Sequence, residues 1–289
     1  MVSLFIDTDI GPDCDDAGAL EVVHALRRRG LVRLIGVSHC TSSPYGAPTI
    51  SAINRYDGYE VPIGTTTRTG FLCGPEHMRY SRAIAKRFDH EYRDGRPQLP
   101  ANQVFRSVLE AQLDQSVTVM GIGPMNNLAE FISDDAGLEL VRRKVTRLVA
   151  MAGRFDCDQP EWNVQMDVPS AQRVMADWQT EVVLCGWELG GGLMTGAGLE
   201  HRAGHPVREA YRLWTDGRMR RDSWDLVTAV CAVRGECGYI HIGPRGRIHV
   251  TDDGRTRFAP DPEGRHRVAS LAAPRDKVAG YLDMLISGK

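Results

Sequence analysis

The sequence predicts an α/β protein with a mostly parallel, Rossmann-like central sheet flanked by helices. Short apolar or β-branched runs recur along the chain, and most are separated by segments with apolar residues at helical three-and-four spacing. This alternation is typical of parallel sheets, because their strands need helical crossovers. The 289 residues, 42% of them hydrophobic, can fill a substantial core. No linker or repeat divides them, so we expect a single domain over residues 1–289.

The predicted elements alternate in chain order. The strands are Leu4–Ile6, Leu34–Ser38, Val61–Gly64, Val117–Gly121, Leu148–Ala152 and Val182–Cys185. The helices are Ala17–Leu26, Ile50–Tyr56, Val104–Leu113, Leu128–Ile132 and Ala171–Trp178. From Glu236 to Pro262, short strand-like runs are separated by Gly and Asp-Gly turns, which predicts a small β-ribbon appendage before a last helix, Lys277–Ile286.

Composition favours a small-molecule substrate. Thirty-five basic and 37 acidic residues give a formal charge of −2, so no global field attracts nucleic acid or an anionic membrane. The N-terminus lacks a basic flank and a long apolar stretch, so we expect a cytoplasmic protein. Seven cysteines without CxxC spacing do not indicate a disulfide scaffold, and most are expected to be reduced and buried.

An aspartate cluster, Asp7-Thr8-Asp9-Ile10-Gly11-Pro12-Asp13-Cys14-Asp15-Asp16, follows the first predicted strand. Parallel sheets bind ligands at the carboxyl ends of their strands, where this cluster lies. Five carboxylates so close together raise one another's pKa unless a cation compensates them. Because all the candidate ligands are hard oxygens, calcium or magnesium is favoured over zinc. We interpret the cluster as a divalent-metal site and the catalytic centre of a hydrolase.

Three alternatives use the same residues. A solvated acidic loop is disfavoured because a buried strand leads in and a helix leads out. A haloacid-dehalogenase phosphatase would have Thr or Val where Gly11 stands, and would have no use for Asp15 and Asp16. A calcium loop of EF-hand type, counted from Asp7, would need Gly and Glu where Pro12 and Gly18 stand.

The cluster, written D-x-D-x-G followed by D-D-A-x-A-L, resembles the nucleoside hydrolase family, which comprises calcium-dependent N-ribohydrolases that cleave ribonucleosides to base and ribose. Three further segments resemble that family in the same order. The first, Gly121-Ile122-Gly123-Pro124-Met125-Asn126-Asn127-Leu128-Ala129, is similar to T-G-P-L-T-N-L-A. Taken alone, it could equally be a strand-to-helix turn capped by Asn127.

The next two segments complete the resemblance. Met151-Ala152-Gly153 and Glu161-Trp162-Asn163-Val164-Gln165-Met166-Asp167 are similar to the family's M-G-G and E-F-N-x-x-x-D. Ser223-Trp224-Asp225 stands where the family has its last carboxylate ligand at the start of an inner helix. Alone, Glu161 and Asn163 would be interpreted as surface loop residues, and Ser223 or Asp225 as a helix cap.

The resemblance implies a role for each matched residue. Calcium would be held by Asp9, Asp16, the carbonyl of Ile122 and Asp225, and Asp9 would also act as the general base. Asp15, Met151, Glu161 and Asn163 would bind the ribose. Cys14 is expected to be a small residue that fills a tight loop.

Trp224 stands where the best-known members have histidine. Purine-specific members have Trp there and activate the base by stacking, so the resemblance implies a catalytic and substrate-binding role for Trp224 and a preference for purine nucleosides. Departures from the motif leave open which of Asp13, Asp15 and Asp16 contacts the metal. Two rival functions also remain: hydrolysis of another N-riboside, such as nicotinamide riboside, and non-catalytic binding of a nucleoside or ribose. A homodimer or homotetramer is implied by the resemblance alone.

Overall fold

One eleven-stranded sheet organises residues 1–288, the part of the chain that the computed structural model describes. The strands are β1 Val2–Thr8, β2 Val32–His39, β3 Ile63–Thr65, β4 Leu99–Pro100, β5 Val117–Ile122, β6 Val145–Met151, β7 Glu181–Cys185, β8 Ile240–Ile242, β9 Gly246–Val250, β10 Thr256–Pro260 and β11 His266–Leu271. The strand order is β10-β9-β11-β7-β6-β5-β1-β2-β3-β4, and β8 pairs with β11.

Twelve α-helices are assigned within the described residues. They are α1 Asp15–Arg28, α2 Gly46–Tyr56, α3 Ser81–Arg87, α4 Ala101–Glu110, α5 Asn126–Phe131, α6 Asp135–Lys144, α7 Trp162–Met166, α8 Val168–Asp177, α9 Trp187–Gly190, α10 Pro206–Trp214, α11 Trp224–Arg234 and α12 Arg275–Ser287. Two 3₁₀ helices cover Pro75–Met78 and Ala197–His201. None of these helices combines the length and apolar character needed to cross a bilayer.

The predicted fold class is confirmed. All neighbouring pairs from β11 through β7, β6, β5, β1, β2 and β3 to β4 are parallel. Side chains alternate across the sheet, so Leu4 and Ile6 pack in the core on one face, with α1 and α11, while Phe5 packs in the core on the other, with α4 and α6. Burial on both faces accounts for the continuous apolar run at the start of the chain.

The predicted β-ribbon is continuous with the sheet. Strands β9 and β10 form an antiparallel hairpin, with Val250 opposite Thr256. Strand β11, which the sequence did not indicate, runs parallel to β7 and joins this hairpin and β8 to the sheet edge. Helices α3, α6, α7, α9 and α10 were also not predicted. Charged residues interrupt the apolar pattern of α6, which nonetheless begins at an Asp134 cap that accepts from the Gly137 amide at 2.6 Å.

The order of the strands changes direction at β1: strands β2 to β4 are added on one side of β1, and strands from β5 onward are added on the other. Strand β2 lies on one side of β1 and β5 on the other, so the crevice at their carboxyl ends is a topological switch point. In register, Thr8 lies opposite Ile122, and Met151 lies opposite Cys185. The segments that follow β1, β5, β6 and β7 therefore meet at one edge.

Helices α1 and α11 pack closely beneath this edge. A Cβ atom added to Gly18 would lie 2.6 Å from the Tyr211 hydroxyl and 2.7 Å from Leu226 Cδ1. Only glycine allows this approach. Because α1 begins with Asp15 and Asp16 and α11 begins near Asp225, the contact also sets the distance between these acids.

We expect Gly18→Ala to lower the free energy of unfolding by about 1–3 kcal/mol, because the added methyl group overpacks the contact between α1 and α11. Urea unfolding followed by circular dichroism measures the change. Gly280→Ala is the matched control: Gly280 lies within α12, its added Cβ would meet nothing within 4 Å, and the change should stabilise by about 0.5–1 kcal/mol. Equal effects of the two variants would contradict the close-packing argument.

Candidate active site

A cavity of about 450 Å³ opens at the switch point. All nine residues that the sequence singled out line it: Asp9, Asp15, Asp16, Ile122, Met151, Glu161, Asn163, Trp224 and Asp225. The fold thus brings together segments that are more than 200 positions apart in the chain. Asp13, which the sequence left open as a metal contact, also lines the cavity. Six further lining residues were given no role by the sequence: Pro12, Glu76, His77, Trp162, Trp187 and Arg221.

Four buried aspartates form the acid cluster, namely Asp9, Asp15, Asp16 and Asp225. Asp9 follows β1, while Asp15 and Asp16 occupy the first turn of α1 and Asp225 that of α11. The positive ends of two helix dipoles therefore face these carboxylates. The backbone amide of Asp225 donates to Asp15 Oδ2 at 3.2 Å, and Thr8 Oγ1 donates to Asp16 Oδ1 at 2.5 Å.

Burial shifts the protonation of the whole cluster. It raises the pKa of Asp9 from an ordinary value of 3.8 to about 7. Burial also holds the pKa values of Asp15, Asp16 and Asp225 well above the ordinary value, and the neighbouring carboxylates raise them further. Ionisation of all four acids therefore requires a compensating cation.

The donor set of the acid cluster fits a hard divalent cation. One carboxylate oxygen from each of Asp15, Asp16 and Asp225 lies within 4.8 Å of the others. All three are oxygen donors, which calcium and magnesium prefer. Asp15 is therefore a candidate ligand as well as a candidate ribose contact. Asp9 does not belong to this trio, although it lines the same cavity and lies next to Asp16.

A second layer of polar contacts holds the strand ends. Asp7 is buried and accepts hydrogen bonds from Ser38 Oγ at 2.5 Å and Asn127 Nδ2 at 2.8 Å. Asn127 also donates to the His39 carbonyl, so it links strand ends instead of capping a helix. A Cβ at Gly123 would lie 2.9 Å from Asp9 Oδ1, so the glycine after Ile122 makes room for that carboxylate.

The segment after β6 provides a second polar wall. Glu161 caps α7: its carboxylate accepts from the amides of Asn163 at 2.7 Å, Gly153 at 3.1 Å and Val164 at 3.2 Å. Burial raises the pKa of Glu161 to about 7 despite these bonds. Asn163 Nδ2 donates to the Met151 carbonyl at 3.1 Å, which leaves its amide oxygen as the acceptor for a hydroxyl group.

Three tryptophans also line the cavity, namely Trp162, Trp187 and Trp224, and together they are called the aromatic wall. The Trp187 and Trp224 ring centres lie 5.9 Å apart, and the Trp224 indole N–H donates to the Trp187 carbonyl at 2.9 Å. The sequence analysis did not identify Trp187. The only available signal was its position just after the carboxyl end of a predicted parallel strand, β7. Acidic and aromatic groups in one cavity suit a ligand with a polar and a planar part.

Cys14 is buried, and burial holds the pKa of its thiol well above the ordinary value. A thiol that resists ionisation is a poor nucleophile. This agrees with the predicted packing role in the loop.

Three comparisons relate the chain to known proteins. The family model described as inosine-uridine preferring nucleoside hydrolase matches residues 4–257. A solved inosine-uridine preferring nucleoside hydrolase from Bacillus anthracis is 18% identical with a TM-score of 0.72, and the match covers 100% of both chains. No curated protein sequence matches.

Two further solved structures are similar. One is an inosine-guanosine nucleoside hydrolase, 18% identical, with a TM-score of 0.75 and coverage of 100% of this chain and 99% of the other. The second is a purine-preferring ribonucleoside hydrolase from Gardnerella vaginalis, 16% identical, with a TM-score of 0.74 and coverage of 99% and 98%. These likenesses support the fold described above.

We expect calcium to stabilise the protein more at about pH 8 than at about pH 5.5. The acid cluster has raised pKa values in the folded chain, so without metal the folded chain binds more protons than the unfolded chain, and stability falls as pH rises from about 4 through about 7. Bound calcium should abolish this loss because the acids are then ionised with a counterion.

Thermal unfolding with calcium and with a chelator, at both pH values, measures this difference. Asp225→Asn should lose most of the calcium effect, whereas Asp94→Asn, at an exposed position, should retain it. A calcium effect of equal size at both pH values would contradict the protonation argument.

Proposed function

Because the chain belongs to the inosine-uridine preferring nucleoside hydrolase family, it is a nucleoside N-glycosyl hydrolase, and we propose that it is a calcium-dependent one that prefers purine nucleosides. Its products are the free base and ribose. The observation that carries the proposal is one cavity lined by both the acid cluster and the aromatic wall. A nucleoside has a matching polar sugar and planar base.

Cleavage of an N-glycosidic bond passes through an oxocarbenium-like state and needs a water nucleophile. Asp9 is the general base that takes the proton from this water. Without metal, burial raises its pKa to about 7. A cation in the acid cluster would keep the Asp9 carboxylate ionised, as a proton acceptor must be. The bond between C1′ and the base nitrogen breaks, its electron pair leaves with the base, and the water oxygen bonds to C1′.

The same carboxylates hold the metal in this proposal. Asp9, Asp16, the carbonyl of Ile122 and Asp225 would be the ligands, and Asp15 would either join them or bind the ribose hydroxyls. A calcium ion held there would supply compensating charge and help to orient the attacking water. Magnesium has the same preference for oxygen, but its small octahedral shell suits a crowded site with ribose hydroxyls less well than the larger shell of calcium.

The ribose is bound by the wall that follows β6. Glu161, which is already held by three backbone amides, accepts hydrogen bonds from hydroxyl groups, and Asn163 offers its amide oxygen beside it. The Met151 side chain packs against the sugar. Fixing these groups before substrate arrives lowers the entropic cost of orienting the ribose.

Trp224 stacks on the base and helps it leave. Stacking on an indole typically contributes about 1–3 kcal/mol, and a purine offers a larger ring face than a pyrimidine. Two of the similar solved proteins are named for inosine-guanosine and purine preference, and their names agree with a preference for purines.

We also propose that the protein forms a homodimer or homotetramer, which gel filtration with light scattering would test.

Inosine, adenosine and guanosine should be hydrolysed faster than uridine. Trp224→Leu should lower kcat/KM for inosine by about 10–100-fold, corresponding to the loss of about 1–3 kcal/mol of stacking. Base release followed by ultraviolet absorbance provides the measurement. Faster turnover of uridine by the native enzyme would refute the purine preference.

Asp9→Asn should lower kcat by at least about 100-fold, since an amide cannot accept the proton from water. Asp94→Asn at an exposed position is the matched control and should keep full activity. Both variants are assayed with saturating calcium. Persistent turnover in Asp9→Asn would remove the proposed general base.

A further inference from the structure

Arg221 lines the cavity but has no part in the chemistry proposed above. It lies three residues before Trp224, and only 23% of its side chain is exposed. Its guanidinium carbon lies 4.3 Å from the ring centre of Trp214 and 4.7 Å from that of Trp224. The planar cation therefore contacts both indoles, in an arrangement favoured by attraction between a cation and an aromatic ring.

The edge of the same guanidinium faces a carboxylate. Arg221 Nε lies 3.1 Å and 3.0 Å from the two oxygens of Asp13, and Nη2 lies 2.5 Å from Asp13 Oδ2. This is the fork geometry in which arginine binds a carboxylate, and lysine cannot reproduce it. Arg221 thus binds Asp13 with its edge and Trp224 with its face.

Asp13 belongs to the loop between β1 and α1. Other elements also hold this loop. The Trp214 indole N–H donates to the Pro12 carbonyl at 2.8 Å, and the Tyr80 hydroxyl donates to the Asp13 carbonyl at 2.7 Å. Pro12 and Asp13 line the cavity, so the loop is part of its wall.

We propose that Arg221 is a positioning residue of the base-binding site, which ties the Pro12–Cys14 loop to the indole of Trp224. The inference rests on the proposed function, because it assumes that the base stacks on Trp224. Because Arg221 holds the Trp224 indole in place before the ligand binds, the ligand does not have to order that side chain. The entropic cost of binding is therefore lower. The indole itself remains when Arg221 is replaced and can still stack on the base once the substrate is bound, so the loss of Arg221 affects mainly KM.

Calcium affinity distinguishes this positioning role from a general structural role. Arg221 is a cation close to the acid cluster, so its removal makes the electrostatic potential at that cluster more negative. Calcium affinity should therefore be unchanged or higher in a variant without the charge. A variant whose fold had collapsed around the site would instead lose calcium and nucleoside binding together.

Arg221→Gln in the calcium-loaded enzyme provides the test. We expect the KM for inosine to rise about tenfold, kcat to stay within about threefold, and calcium affinity by titration calorimetry to be no weaker. Arg221→Lys keeps the charge but loses the fork and the planar contact, so it should show the same rise in KM. Hypoxanthine binding, measured by calorimetry, reports on the base site without turnover and should weaken about tenfold in both variants.

Two further variants serve as comparisons. Arg79 also lies over the Trp214 ring, at 5.7 Å, but is outside the cavity lining, so Arg79→Gln should leave KM and calcium affinity unchanged. Asp13→Asn should raise KM, and its effect should not add to that of Arg221→Gln, because the two residues act as one pair.

The inference is overturned if Arg221→Lys keeps the native KM and hypoxanthine affinity, or if Arg221→Gln weakens calcium and hypoxanthine binding together. Failure of the native enzyme to release base from any nucleoside would count against the proposed function instead. In that case the hypoxanthine titrations still decide the role of Arg221.

Discussion

The mutual repulsion of four buried carboxylates is the constraint on which the rest of the site depends. Asp9, Asp15, Asp16 and Asp225 cannot all be ionised in a cavity this enclosed unless positive charge is brought to them. The fold contributes part of it through the N-terminal ends of α1 and α11. The remaining positive charge has to come from a cation. Metal binding and the stability of this region are therefore coupled.

The packing of the sheet and helices serves the same constraint. The switch point between β1 and β5 places Asp9 beside Ile122, and Gly123 leaves space for the carboxylate. Gly18 allows α1 and α11 to approach until their first turns share one site. Asp7, held by hydrogen bonds from Ser38 and Asn127, keeps the ends of β1 and β2 in register behind the acids. Small residues and buried hydrogen bonds thus position the acids.

Much of the fold was predictable because its signals are local. The run Leu4–Ile6 shows burial on both faces, and the spacing in Ala17–Leu26 indicates a helix with one apolar side. The helix α6 and the strand β11 were not predicted, for two different reasons. Charged residues obscure the periodicity of α6, and β11 is defined by its pairing with β7, which lies about 80 positions earlier.

The sequence by itself determined the chemical character of the site: a run of aspartates after a buried strand, and motifs that together indicate a nucleoside hydrolase. Tertiary structure decided which groups meet. Asp15 shares the acid cluster with Asp225, Trp187 lies beside Trp224, and Arg221 pairs with Asp13, although 208 positions separate them. A local pattern records the residue types and spacing that a segment needs, whereas distances between remote segments depend on strand order and helix packing, which no single segment encodes.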